Sequence, residues 1–113
     1  MKTINVKLCD ITNNINDIFD TNAIITDSTI KYVDNNKTKV LLNYIDNILI
    51  RENSDYLFNI DFNNNIIDIT MKKYKKTFSK NIETLLIKKD NKSYLVRYKL
   101  IDEDVINEYQ IIY

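Results

Sequence analysis

YLFNIDF, residues 56–62, sets Tyr56, Phe58, Ile60 and Phe62 on one side of an extended chain and Leu57, Asn59 and Asp61 on the other. Strict alternation with aromatic and β-branched enrichment marks a half-buried strand. The same period recurs outward in both directions. SYLVRYKL, residues 93–100, puts Tyr94, Val96, Tyr98 and Leu100 opposite Leu95, Arg97 and Lys99, and near the start Ile4, Val6 and Leu8 alternate with Asn5 and Lys7.

Polar clusters separate these runs: residues 34–37, 53–55, 63–65 and 90–92. The chain has no glycine and no proline. Asn and Asp tolerate left-handed backbone angles and cap turns with their own side chains, so they are the hairpin residues here. The expected strands are 2–9, 15–26, 29–33, 38–44, 48–52, 56–62, 66–73, 77–88, 93–100 and 105–113, with helix as an alternative at 11–20 or 79–88, where alternation falters. Short strands and short turns over 113 residues predict one all-β domain, 1–113. The expected architecture is an antiparallel meander closed, or nearly closed, into a calycin-like barrel with at most one short helix.

Composition excludes much chemistry. Histidine is absent and cysteine occurs once, which removes Ser-His-Asp and Cys-His nucleophile systems, Cys/His zinc sites and internal disulfides. Cys9 lies on a strand-like segment with no activating base and reads as a structural thiol. Without glycine no phosphate-cradling loop forms. Residues 61–65 open like a calcium loop, Asp-x-Asn-x-Asn, but Ile66 replaces the required glycine and Lys72 the bidentate Glu. Catalysis by paired carboxylates alone stays open, as in glycoside hydrolysis, but no pair is marked by context. No catalytic residues, cofactor or metal are expected, and the protein reads as a non-enzyme. Ile and Asn make up about a third of the chain, the codon bias of an AT-rich, low-GC genome. No apolar run is long enough to span a membrane, and no secretory apolar stretch follows Met1, so the expectation is a cytoplasmic protein without a membrane partner.

Two features point toward function. The first is an inward face rich in rings, Tyr32, Tyr44, Tyr56, Phe58, Phe62, Tyr94 and Tyr98, which fills a barrel or lines a cavity for an apolar or aromatic small molecule. The second is MKKYKKTFSK, residues 71–80. Read as one strand, it sets Lys72, Tyr74, Lys76, Phe78 and Lys80 on one face and Met71, Lys73, Lys75, Thr77 and Ser79 on the other. Rings between cations are what a single-strand nucleic-acid binder presents. Lysines on both faces fit better an exposed edge or hairpin that discourages sheet association. Net charge is zero but segregated: 6 basic against 10 acidic residues over 1–70, 10 against 2 over 71–100, and 4 acidic residues alone over 101–113. Beside the ligand barrel stand two further readings, a protein-interaction module such as a phage or mobile-element inhibitor, and, ranked lower, single-stranded nucleic-acid binding through 72–80.

From about Thr26 to Tyr113 the chain resembles the YwiB-like proteins, small cytosolic calycin-type barrels of unknown function. The likeness rests on DSTIKYVDNNKTKVLLNY (27–44), ILIRENSDYLFNIDF (48–62), Tyr74-Lys75-Lys76 leading into NIETLLIKKD (81–90), and SYLVRYKLIDEDVINEYQIIY (93–113). Thr29 and Lys75 stand where that family carries turn glycines. The resemblance implies a barrel and a small apolar ligand, and no catalytic residues.

Overall fold

The computed structural model describes all 113 residues. Ten strands follow one another: β1 (Lys2–Asp10), β2 (Ile15–Ile25), β3 (Thr29–Val33), β4 (Lys39–Asn43), β5 (Ile48–Glu52), β6 (Tyr56–Asp61), β7 (Ile66–Met71), β8 (Lys76–Lys89), β9 (Ser93–Leu100) and β10 (Asn107–Ile112). Each pairs antiparallel with its sequence neighbour, and β10 pairs with β1, so the meander closes into a barrel. The only helical element is a single 3-10 turn over Lys72–Tyr74. No helix is long and apolar enough to cross a membrane.

The period-two pattern becomes rows of side chains around the inner wall. One row runs Ile25, Ile30, Leu42, Leu49, Ile60 and Ile67 across six strands. All but the half-buried Ile25 join Ile4, Val6, Phe62, Ile82, Tyr94, Val96, Tyr109 and Ile111 in one continuous buried core. Burial of such side chains is the main stabilising term, on the order of 1.5–3 kcal/mol each.

Turn chemistry replaces glycine as the sequence predicts. Asp34 Oδ1 accepts from the N–H groups of Asn36 and Thr38, Asn43 Oδ1 from Ile45 and Asp46, and Asn53 Oδ1 from Asp55 and Tyr56. Asp61 Oδ1 accepts from Asn63 and Asn64, Asp10 Oδ1 from Asn13, and Asp90 Oδ1 from Lys92. Five turns also hold a residue with left-handed backbone: Asn14, Lys37, Asn47, Asn65 and Lys75. Lys75, at φ 50°, holds a backbone position that favours glycine. Thr29 has no such backbone and begins β3.

Several expectations need correction. Neither 11–20 nor 79–88 is helical. β2 lacks alternation because Ile15–Ile18 are exposed on both faces. β8 loses its period at a bulge between Thr84 and Leu86, where Leu85 is the extra residue. Residues 71–80 are not one strand: β7 ends at Met71, the chain turns through 72–75, and β8 begins at Lys76. The turn resets the parity, so Met71, opposite Lys76, shares a face with Lys76, Phe78 and Lys80.

Lys75→Gly relieves a left-handed side-chain-bearing residue at an exposed turn. The strain of about 1–2 kcal/mol, less the extra backbone entropy of glycine, leaves a stabilisation of about 0.5–1 kcal/mol. A melting temperature raised by about 2–5 °C in scanning calorimetry is the expected result. The reverse case is Asp34→Ala, which strips the cap of two backbone N–H groups and the partner of Arg51, and lowers it.

Candidate functional site: the open mouth of the barrel

The two ends of the barrel differ. At the end holding the β2–β3, β4–β5, β6–β7 and β8–β9 turns, a polar network closes the interior. Lys89 Nζ donates to Tyr44 O at 2.8 Å and to Asn47 Oδ1 at 3.1 Å, and the Tyr94 hydroxyl donates to the same Asn47 oxygen at 3.1 Å. Asn47 Nδ2 reaches Asn63 Oδ1 at 3.0 Å, and Asn63 Nδ2 reaches Asp46 O at 3.0 Å. The Tyr44 hydroxyl donates to Thr26 O at 2.6 Å, and its ring lies 5.9 Å from that of Tyr113. Asn47, left-handed and buried, is the hub of this plug.

The opposite end is open. A cavity of about 260 Å³ lies there, walled by Leu8, Leu49, Tyr98 and Tyr109, with Arg51 on its wall and Asp10, Ile15, Asp17 and Asn107 at its rim. Register explains each position. Leu8 and Tyr109 are cross-strand partners, as are Asp10 and Asn107, Asn107 and Tyr98, and Leu8 and Asp17. Arg51 follows Leu49 by two residues on β5 and so faces inward, between Val40 and Phe58.

Arg51 Nη2 approaches Asp34 Oδ2 at 3.4 Å, and that carboxylate is almost fully buried. The other guanidinium N–H groups have no partner in the chain, and neither has the Tyr98 hydroxyl; the Tyr98 ring is held 5.2 Å from that of Phe62. Behind it, the Tyr32 and Tyr109 hydroxyls share a hydrogen bond of 2.8 Å. Burial pushes the phenols up: Tyr32 to about 12, and Tyr94, Tyr98 and Tyr109 above the ordinary range, with Arg51 opposing the shift at Tyr32, Tyr98 and Tyr109. The Asp10 carboxyl is held below its usual value by hydrogen bonds from the Asn13 side chain and backbone. The mouth thus presents donors inside an apolar ring, with carboxylates on one lip.

Of the seven rings expected to line a ligand site, only Tyr98 borders this cavity. Tyr32 stands behind it, and Phe62 and Tyr94 are buried in the core. Tyr44 belongs to the plug and borders a crevice of about 580 Å³ at the closed end. Phe58 is half-buried on the inner wall; Tyr56 has the inward parity but lies 41% exposed at the rim, stacked on Phe58 at 5.7 Å. Its inward reading is corrected, because Tyr56 is the first residue of β6, at the rim beside the turn from β5. Sequence reasoning missed Leu8, Leu49, Arg51 and Tyr109 as lining residues. Arg51 carried a legible signal, its alternation with Leu49, but charge argues for solvent in a sequence reading.

The lysine run lies on the rim near Arg51. Lys72 pairs with Glu52 at 2.8 Å and holds that carboxyl below its usual value. Lys73 lies 5.7 Å over the Tyr74 ring, while Lys75, Lys76, Phe78 and Lys80 are exposed. The turn scatters Tyr74 and Phe78, so the single face of alternating rings and cations does not exist.

Comparison with known protein families, curated proteins and solved structures finds no match to this chain.

The phenols predict an alkaline transition. Their neutral forms are favoured in the folded state, so stability is complete below the unfolded value near pH 10 and is lost as pH rises toward 12. Absorbance at 295 nm and far-ultraviolet dichroism followed together should show the buried phenols ionising in the step that loses β structure. Ionisation of all eight tyrosines with the dichroism intact would contradict a dry interior.

Proposed function

We propose that the protein is a non-enzymatic binding barrel that takes a small aromatic or apolar molecule carrying an acceptor head group in the mouth cavity. One observation supports this reading above the others: free donors, the Arg51 N–H groups not bound to Asp34 and the Tyr98 hydroxyl, border a cavity walled by Leu8, Leu49 and Tyr109. Apolar walls with a few convergent polar groups are the usual form of a ligand site. At about 260 Å³ the space is small for such sites and suits a one- or two-ring molecule. The reading agrees with the likeness of residues 26–113 to the YwiB-like calycin-type barrels, and it places the ligand at the mouth, with the barrel's middle filled.

A second reading, an interaction module, is favoured by the exposed lysines of 73–80 beside the mouth. Cytoplasmic location belongs to the same proposal.

The test is calorimetric titration with 1-naphthoate. Wild-type protein should bind it. Arg51→Gln should weaken binding about tenfold, the share of one charge-assisted hydrogen bond, and Leu8→Phe should block it by filling the space. Absence of heat with 1-naphthoate, and equally with naphthalene and 1-naphthylamine, would sink the ligand reading and leave the interaction module.

A further inference from the structure

Two strands of the barrel are longer than their partners, and each leaves one open edge. β2 pairs with β3 only over Ala23–Ile25, so residues 15–21 have β1 on one side and no strand on the other. β8 pairs with β9 only from Ile82 onward, so residues 76–81 have β7 on one side and no strand on the other, with Asn81 O alone accepting from Ile101 N–H. All six residues of that β8 segment are exposed, as are Ile15–Ile18. Unpaired N–H and C=O groups along such an edge are a template for another strand.

The edges carry opposite charge. β2 presents Asp17 and Asp20 with no basic residue from Ile15 to Asn22, while β8 presents Lys76 and Lys80 with no acidic one from Lys76 to Asn81. Like edges therefore repel, and unlike edges attract. The side-chain order is complementary too. The inner face of the β2 segment reads Ile15, Asp17, Phe19, and that of the β8 segment reads Lys76, Phe78, Lys80. An antiparallel register that keeps the inner faces together and sets Phe19 against Phe78 also sets Asp17 against Lys80. Within one chain the two segments belong to separate arcs of the wall and do not pair.

We propose that copies of this chain associate head to tail, the β8 edge of one molecule adding to the β2 edge of the next. The occupant is a second copy because this chain itself offers the strand of opposite charge and matching pattern. Such a contact is heterologous, so it leads to rings or short filaments and not to a closed two-fold dimer. An edge of six residues runs about 20 Å, which makes the association weak and sensitive to salt.

Sedimentation velocity across protein concentration, at about 20 mM and about 0.5 M salt, reads this out. Wild-type protein should form concentration-dependent oligomers that dissociate in high salt. Asp17→Lys with Asp20→Lys, and separately Lys76→Glu with Lys80→Glu, should each be monomeric, with dichroism unchanged. Mixed in equal amounts, the two variants should associate again, since each then supplies the edge of opposite sign that the other lacks. A misfolded variant cannot mimic that rescue. The proposal fails if wild-type protein stays monomeric throughout, or if both variants associate as it does. It fails also if low-salt wild-type protein remains monomeric while binding a thymidine oligonucleotide through the lysine edge, which would assign that edge to nucleic acid instead.

Discussion

The pairing of β1 with β10 is the contact on which the rest depends. It joins Asn5–Asp10 to Asn107–Ile112, the two ends of the meander, and so pairs the two terminal strands of a ten-stranded sheet with each other. It also builds the mouth, since Leu8 and Asp10 come beside Tyr109 and Asn107 only through that ladder. Pairing over such a sequence separation carries a high loop-closure cost, compensated here by burial of Val6, Tyr109 and Ile111 along the seam. Glu108, on the outer side of the same seam, is buried between Arg97 at 3.0 Å and Lys7 at 3.8 Å, which ties β9, β10 and β1 together from outside.

Turns without glycine impose the second constraint. Side-chain caps from Asp and Asn hold the hairpins in register, and left-handed Asn and Lys residues accept strain that glycine would avoid. One of them has a further role. Asn47 directs its side chain inward, where it binds Lys89, Tyr94 and Asn63 and seals one end. The asymmetry of the barrel, closed at one end and open at the other, follows from that residue and its partners.

Large rings then decide how much interior remains. Phe62, Tyr94 and Tyr109 fill the middle, and no buried side-chain polar atom is left without a partner. What stays open is the region beyond Tyr98, bordered by residues of β1, β2, β5 and β10. Because β2 and β8 overshoot their neighbours, the same end carries both the cavity and the unpaired edges. Any ligand or second copy would therefore act on the same end of the molecule.

Alternation by itself determined the strands, their inward faces and the turn positions, because a side chain's face along a strand depends only on local parity. YLFNIDF and SYLVRYKL were sufficient for that, and the Asn and Asp clusters marked the turns where they occur. Parity failed where local rules change: at the bulge beside Leu85, at the turn through 72–75, and at Tyr56, which has the right parity but lies exposed at the rim. The site was legible only in Tyr98. Closure of the sheet, its shear and the unequal strand lengths decided that Arg51 faces inward, that Tyr109 lines the mouth, and that the acidic and basic edges stand unpaired. Those facts depend on which strands lie side by side and by how much they overlap, a relation between distant segments that no local pattern encodes.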